Sequence, residues 1–338
     1  MTVDDAALEE LRLTAPDGTR RRLMVRLGPW RKPAGPGLST RVVYNRAGVE
    51  LGVMRAVPSG VGAAHPALYD ALDREVRAGV RLARRYSAEY PEHLVRLLGY
   101  EFAARVPFAI VTPEQGEPVS RIGRALLLDE QRQFQVGLFR GLLLLAEAGV
   151  AHGSISAATV RWDAGAVWIG DLSAAAFHGE PRRPGGVAPW CSPEQRAGTG
   201  VTGPTDDMWA AGMLTYQVVT GRSVTGLAAG PDLTQRAPAL RDLLAGLFDA
   251  ADLRPGPERI LVRLRSDADV PAGTADTGPE FEIGLRAFDE ARHRKLAVPV
   301  PQPPQKASPL PGGMVVWLTG AAVLLVLVAV LLVVAVLR

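Results

Sequence analysis

The chain reads as an α+β protein with a smaller β-rich part, a larger helical part and one C-terminal transmembrane helix. Three observations predict this. Short stretches of alternating apolar and polar residues recur between residues 11 and 57 and return over 94–112. From Leu126 onward the apolar spacing lengthens to three and four, as one face of a helix requires. Residues 314–337 then run for 24 positions without a charge. At about 1.5 Å per residue that length crosses roughly 30 Å of hydrocarbon.

In chain order, residues 11–13 and 23–27 alternate around Pro16-Asp17-Gly18, which predicts a hairpin. Residues 40–44 and 49–57 form a second strand pair across Asn45-Arg46-Ala47-Gly48. Leu68, Leu72, Val76 and Val80 give helical spacing to 67–86, and strand character returns over 94–102 and 106–112. Phe134, Leu138, Leu142 and Leu145 mark one face of a helix over 129–148. Further helices are expected over 204–220, 235–248, 257–264 and 279–296. Residues 298–312 hold six prolines and no periodicity, so they read as an extended linker.

Composition excludes some classes. A net charge of +3 without a basic stripe gives no nucleic-acid surface. The single Cys191 rules out an internal disulfide and suits a reducing cytosol. Only Lys32, Lys295 and Lys306 are lysines among 38 basic residues, which together with heavy Ala, Gly and Pro use suits a GC-rich bacterial genome. Residues 1–22 are charged and broken by Pro16 and Gly18, so no signal peptide is expected. Arg292, Arg294, Lys295 and Lys306 precede the uncharged run and Arg338 alone follows it. The positive-inside rule then places the large domain in the cytoplasm, held to the cytoplasmic membrane by a single-pass anchor.

One stretch carries most of the functional signal. His152-Gly153-Ser154-Ile155-Ser156-Ala157-Ala158-Thr159 is followed by Gly170-Asp171-Leu172-Ser173, and this resembles the catalytic and metal-binding loops of protein kinases. The chain is similar to a degenerate member of the bacterial eukaryotic-like serine/threonine kinase family, over residues of about 20–265. Other motifs follow in the family's order. Gly35-Pro36-Gly37-Leu38-Ser39-Thr40-Arg41-Val42 resembles the glycine loop, and Arg55 stands where the family has its phosphate-pairing Lys. Glu75 matches the partner Glu, and residues 110–116 match the adenine hinge. Ser192-Pro193-Glu194 resembles Ala-Pro-Glu, with Arg254 as its salt-bridge partner; Asp207 would bond the backbone near His152.

The resemblance implies a two-lobed kinase-like fold, with a small β-rich lobe over 20–112 and a large helical lobe over 113–296. An N-terminal extension (1–19) precedes them, and the linker (297–313) and anchor (314–337) follow. It implies that ATP would be held through Gly35, Gly37, Arg55 and Glu75, and Mg²⁺ through Asp171. The chemistry itself is depleted. Ser154, Ser156 and Thr159 replace the catalytic Asp, the Lys and the Mg²⁺-binding Asn, so no catalytic position is intact. A hydroxyl cannot accept the substrate proton at neutral pH as a carboxylate can. Gly153 replaces the Arg that would hold a phosphorylated activation segment. Residues 174–191 contain no Ser, Thr or Tyr to phosphorylate, and Val187 stands in place of a supporting Thr. The scaffold residues His152, Glu194, Asp207 and Arg254 remain. The reading that follows is a membrane-anchored pseudokinase, acting as a signalling scaffold or regulator and needing no cofactor. It would bind a protein partner, an adaptor or another kinase. An active kinase with an atypical loop and a non-catalytic ATP sensor stay open.

Overall fold

Strand β1 (Glu9–Thr14) pairs antiparallel along its whole length with β2 (Arg20–Leu27), so that Leu11 faces Leu23 and Leu13 faces Arg21. The turn between them is set by two residues. Gly18 takes φ of 85°, and the Asp17 carboxylate accepts hydrogen bonds from the Thr19 N–H and hydroxyl at 2.9 and 2.6 Å. Strands β3 (Ser39–Tyr44) and β4 (Glu50–Ala56) form a second hairpin. Its turn is tied by Asn45 Oδ1, which accepts from the N–H groups of Ala47 and Val49 at 2.9 Å each. Helix α1 (Ala67–Tyr86) follows, then β5 (Leu97–Glu101) and β6 (Phe108–Val111). The computed structural model describes residues 7–266 apart from 34–36, 59, 63, 123–125 and 228–229.

The six strands close on themselves in the order β1-β2-β3-β4-β6-β5, with Thr14 against Tyr100 as the closing pair. Period-two alternation sends Leu13, Val25, Val43, Met54, Ala56 and Ile110 into the barrel. It leaves Arg55 on the outer face, under α1. Helix α1 lies close to β5 because of Gly79: a Cβ there would stand 2.5 Å from the Leu97 Cβ.

The remainder is mainly helical. After β7 (Glu117–Pro118), α2 (Leu128–Glu147) buries Phe134, Leu138, Leu142 and Leu145. Glu130 reaches back to accept the Leu127 N–H at 2.8 Å, satisfying one donor at the helix start. Short strands β8 (Val150–Ala151), β9 (Val160–Asp163), β10 (Ala166–Ile169) and β11 (Ala176–Phe177) pair as β7-β9-β10 and β8-β11. Helix α3 (Pro193–Ala197) has a reciprocal cap: the Ser192 hydroxyl accepts from Gln195 N–H, and the Gln195 side chain accepts from Ser192 N–H. Helices α4 (Met208–Thr220), α5 (Leu233–Arg236) and α6 (Pro257–Arg263) complete the described residues. α4 is buried nearly all round, and Trp209 anchors it through Nε1–H to Pro189 O at 3.0 Å.

Two expectations are corrected. The first is a kinase-like fold of two lobes with a transmembrane helix. The strands instead close into a six-stranded antiparallel barrel, and among the described residues there are six α-helices, none long and apolar enough to cross a membrane. Local periodicity identifies strands but not which edges meet; here one distant pair, Thr14 and Tyr100, decides closure. The two 20-residue helices, α1 and α2, each carry a charged face. The second is the single helix over 235–248. It is broken into α5, a short 3₁₀ turn over Pro238–Leu240, and further turns. Pro238 lacks the N–H that α5 would need to continue, and Gly246 sits at φ of 82°. The segments expected at 279–296, 298–312 and 314–337 lie outside the described residues.

Candidate functional site

Between the barrel and the helical part lies a cluster of five ionisable side chains, and Arg55 is its centre. β4 presents the Arg55 guanidinium outward; α1 presents Glu75, only 1% exposed, on the same buried face as Leu72 and Val76. Arg55 Nη1 donates to Glu75 Oε2 at 3.2 Å and to Asp171 Oδ1 at 2.8 Å. Its Nη2 donates to Glu114 Oε1 at 2.7 Å. Glu114 in turn meets Arg161 Nη2 of β9 at 2.6 Å through its other oxygen. Arg161 Nη1 is fixed by Gly116 O at 2.7 Å.

Three carboxylates thus surround two guanidinium groups. Although burial acts against its charge, Glu75, Asp171 and Glu114 together hold Arg55 above its ordinary pKa. Burial pushes Glu75, which has one carboxylate oxygen without a hydrogen-bond partner, up to about 7 against the pull of Arg55. Asp171 moves the other way. Burial opposes its charge, but Arg55 and then the Ser173 hydroxyl at 2.6 Å hold its carboxyl below the usual range. Asp171 adopts a left-handed backbone, φ 61°, which turns its side chain toward Arg55 and Ser173.

The loop of residues 152–159 is closed by its own hydroxyls. Thr159 Oγ1 donates to Ser154 O at 2.7 Å and accepts from Ser156 N–H at 3.0 Å, while the Ser156 hydroxyl lies 3.1 Å from it. Fully buried His152 places Nε2 at 2.6 Å from Gly170 O. A carbonyl only accepts, so Nε2 carries the proton and Nδ1 is the acceptor for Ser154 N–H and Oγ–H at 3.3 and 3.2 Å. The Ser154–His152 contact has the composition of a nucleophile and its base. The ring's free lone pair is already shared with the Ser154 N–H, however, and its far nitrogen is held by a backbone carbonyl instead of a carboxylate. The geometry is that of a turn.

Asp207 binds this loop from below: Oδ2 accepts from His152 N–H at 2.6 Å and Oδ1 from Gly153 N–H at 2.8 Å. Arg254 Nη1 lies 2.8 Å from Glu194 Oε1, an ionic contact without hydrogen-bond alignment. Its N–H groups go to Thr205 O and Asp249 O at 3.2 and 2.9 Å.

The structure therefore brings together Arg55, Glu75 and Asp171, and separately His152, Ser154, Ser156, Thr159 and Asp207. Gly35 lies outside the described residues. Gly37 precedes β3, where a Cβ would stand 3.2 Å from the Pro33 ring. Among the described residues no group of three or more His, Cys, Asp or Glu side chains is placed to hold a metal ion. The sequence reading did not single out Glu114 or Arg161. The available signal was a lone Arg between the apolar Val160 and Trp162 on a short strand, with a lone Glu after Pro113. Neither a family model nor a curated protein matches this chain.

Proposed function

We propose that this chain is a catalytically inert relative of the bacterial serine/threonine kinases, a pseudokinase that works by holding a protein partner. The observation that carries the reading is the saturation of Arg55. A triphosphate with its metal needs a cation free for phosphate oxygens and a carboxylate free for the metal. Arg55 is already shared among three carboxylates; Asp171 takes Arg55 and Ser173 on Oδ1 alone, so it is the cation that is committed. Glu114 lies beside Gly170, with its carboxylate 3.7 Å from where a Cβ of Gly170 would stand, so negative charge fills the space phosphates would occupy. These residues do not fit the nucleotide that the resemblance implies.

The loop chemistry supports the same reading. The Ser156 and Thr159 hydroxyls lie against each other, Thr159 is spent on Ser154 O, and the Ser154 hydroxyl faces His152; none of the three hydroxyls can accept a substrate proton at neutral pH as a carboxylate would. A placement at the cytoplasmic membrane rests on the uncharged run of residues 314–337 and the basic residues before it. The test is thermal unfolding of the full-length protein with ATP, with and without Mg²⁺, beside a phosphotransfer assay. The expected result is no shift and no transfer. A Mg²⁺-dependent shift without transfer would favour the ATP-sensor reading, and transfer abolished by Asp171→Ala would favour an active kinase.

A further inference from the structure

A cavity of about 330 Å³ opens between α1 and the segment after β11. Four arginines line it: Arg74 and Arg77 from α1, Arg182 and Arg183 from the loop. Three carboxylates line it too, and two of them hold arginines of the same cavity. Asp206, 2% exposed, takes Arg182 in a two-bond fork at 2.8 and 2.9 Å, and Glu180 takes Arg77 at 3.0 Å. Asp70 sits at the rim, on the first turn of α1.

Arg74 and Arg183 remain. Arg74 is aimed by its Nε–H, which donates to Ser173 O at 2.8 Å, and its terminal nitrogens make no hydrogen bond among the described residues. Among the described residues Arg183 has no hydrogen-bond or ion-pair partner. Burial, and then the Arg183 charge, hold Arg74 below its ordinary pKa, although Asp70 and Asp73 on its own helix pull the other way. The terminal nitrogens of Arg74 and the guanidinium of Arg183 are the donors of this cavity left for an incoming anion, and guanidinium groups bind phosphate oxygens in strong charge-assisted bonds. The walls beside them are small, with Gly153, Ala174, Gly185 and Gly186 leaving room for a tetrahedral group.

We infer that this cavity binds the phosphoryl group of a phosphorylated serine or threonine on another protein, clasped between Arg74 and Arg183. The loop cannot supply the group itself, because residues 174–191 contain no Ser, Thr or Tyr. The inference gives chemistry to the partner-holding role proposed above, at a site away from Arg55. A failure here would leave the nucleotide result untouched, and the reverse also holds.

The test is calorimetric titration of the full-length protein with phosphoserine heptapeptides of randomised flanks, their unphosphorylated counterparts and inorganic phosphate. The expected result is binding of the phosphorylated peptides only, weakened about tenfold by Arg183→Gln, the loss of one charge-assisted contact. Arg183 is exposed, so that variant should keep the parent's thermal midpoint. Arg183→Glu should abolish binding. Absence of binding, equal binding of the unphosphorylated peptides, or affinity unchanged in Arg183→Gln would overturn the proposal. Inorganic phosphate binding as tightly as the peptides would assign the cavity to a free anion and overturn the protein-borne source.

Discussion

Arg55 and Glu114 meet at 2.7 Å across the cleft between the barrel and the helical part. This contact converts a would-be ligand site into a structural one. Without it, Arg55 would have one nitrogen directed at Glu75 and Asp171 and a second free for an incoming anion. With it, the guanidinium is committed on both terminal nitrogens. Glu114 also neutralises Arg161, which would otherwise stand as a second cation in the same space.

Glu114→Gln should therefore lower stability, by about 2 kcal/mol, because two guanidinium groups lose their shared counter-charge. The side chain is 29% exposed, so water screens part of the loss. A double-mutant cycle of Glu114→Gln with Arg161→Met should give a coupling of about 1–2 kcal/mol in urea unfolding. A coupling near zero would mean that the two residues are neighbours without mutual effect.

The Arg254 side chain is fully buried, against 16% exposure for Glu194. Arg254→Met removes the charge together with its bonds to Thr205 O and Asp249 O. The expected cost is about 3–5 kcal/mol, since a half-buried carboxylate and two carbonyls lose their partner. Glu194→Gln should cost less, as the backbone bonds of Arg254 survive. Equal losses in thermal unfolding would contradict that ordering.

How far the sequence reached is visible in these same residues. Strand and helix positions followed from spacing: α1 occupies the range its leucines and valines predict, and α2 begins one residue early. Glu194 with Arg254, and Asp207 with the His152 backbone, could be read because each sits in a motif of fixed local order. Glu114 and Arg161 could not. A charge on a strand or loop is ordinarily solvent-facing, and their meeting depends on how β9 sits under the segment that follows β6. Barrel closure escaped for the same reason, as it rests on a pairing distant in sequence.

Asp207→Asn tests the support beneath the loop. The carboxylate accepts two backbone N–H groups, from His152 and Gly153, one on each oxygen. An amide offers a single acceptor and turns its NH₂ toward the other donor. One buried N–H is then unpaired, at a cost of about 2–4 kcal/mol including the loss of charge. Amide hydrogen exchange at His152 and Gly153 should accelerate, while exchange within the barrel changes only as far as global stability does. Protection unchanged at both positions would refute this account of Asp207.

Glu75 gives the protein a pH dependence of defined sign. Its ordinary value is 4.5, and in the folded protein burial pushes it up to about 7. Below pH 4.5 the carboxyl is protonated in both states and its contribution to stability is fully present. Between 4.5 and about 7 the unfolded chain releases the proton and the folded protein retains it, so stability falls as pH rises. Above about 7 both states are ionised and the loss is complete, on the order of 3 kcal/mol. Asp171 acts in the opposite sense: its depressed carboxyl adds stability above its ordinary value of 3.8, lost only as pH falls further. The two windows do not overlap. Gln is isosteric with the protonated acid, so Glu75→Gln should match the parent in urea unfolding at pH 4.5 and exceed it at pH 7.5. A difference between the two proteins that is constant across that interval would show that Glu75 stays ionised beside Arg55, and that the cluster holds all three of its carboxylates charged.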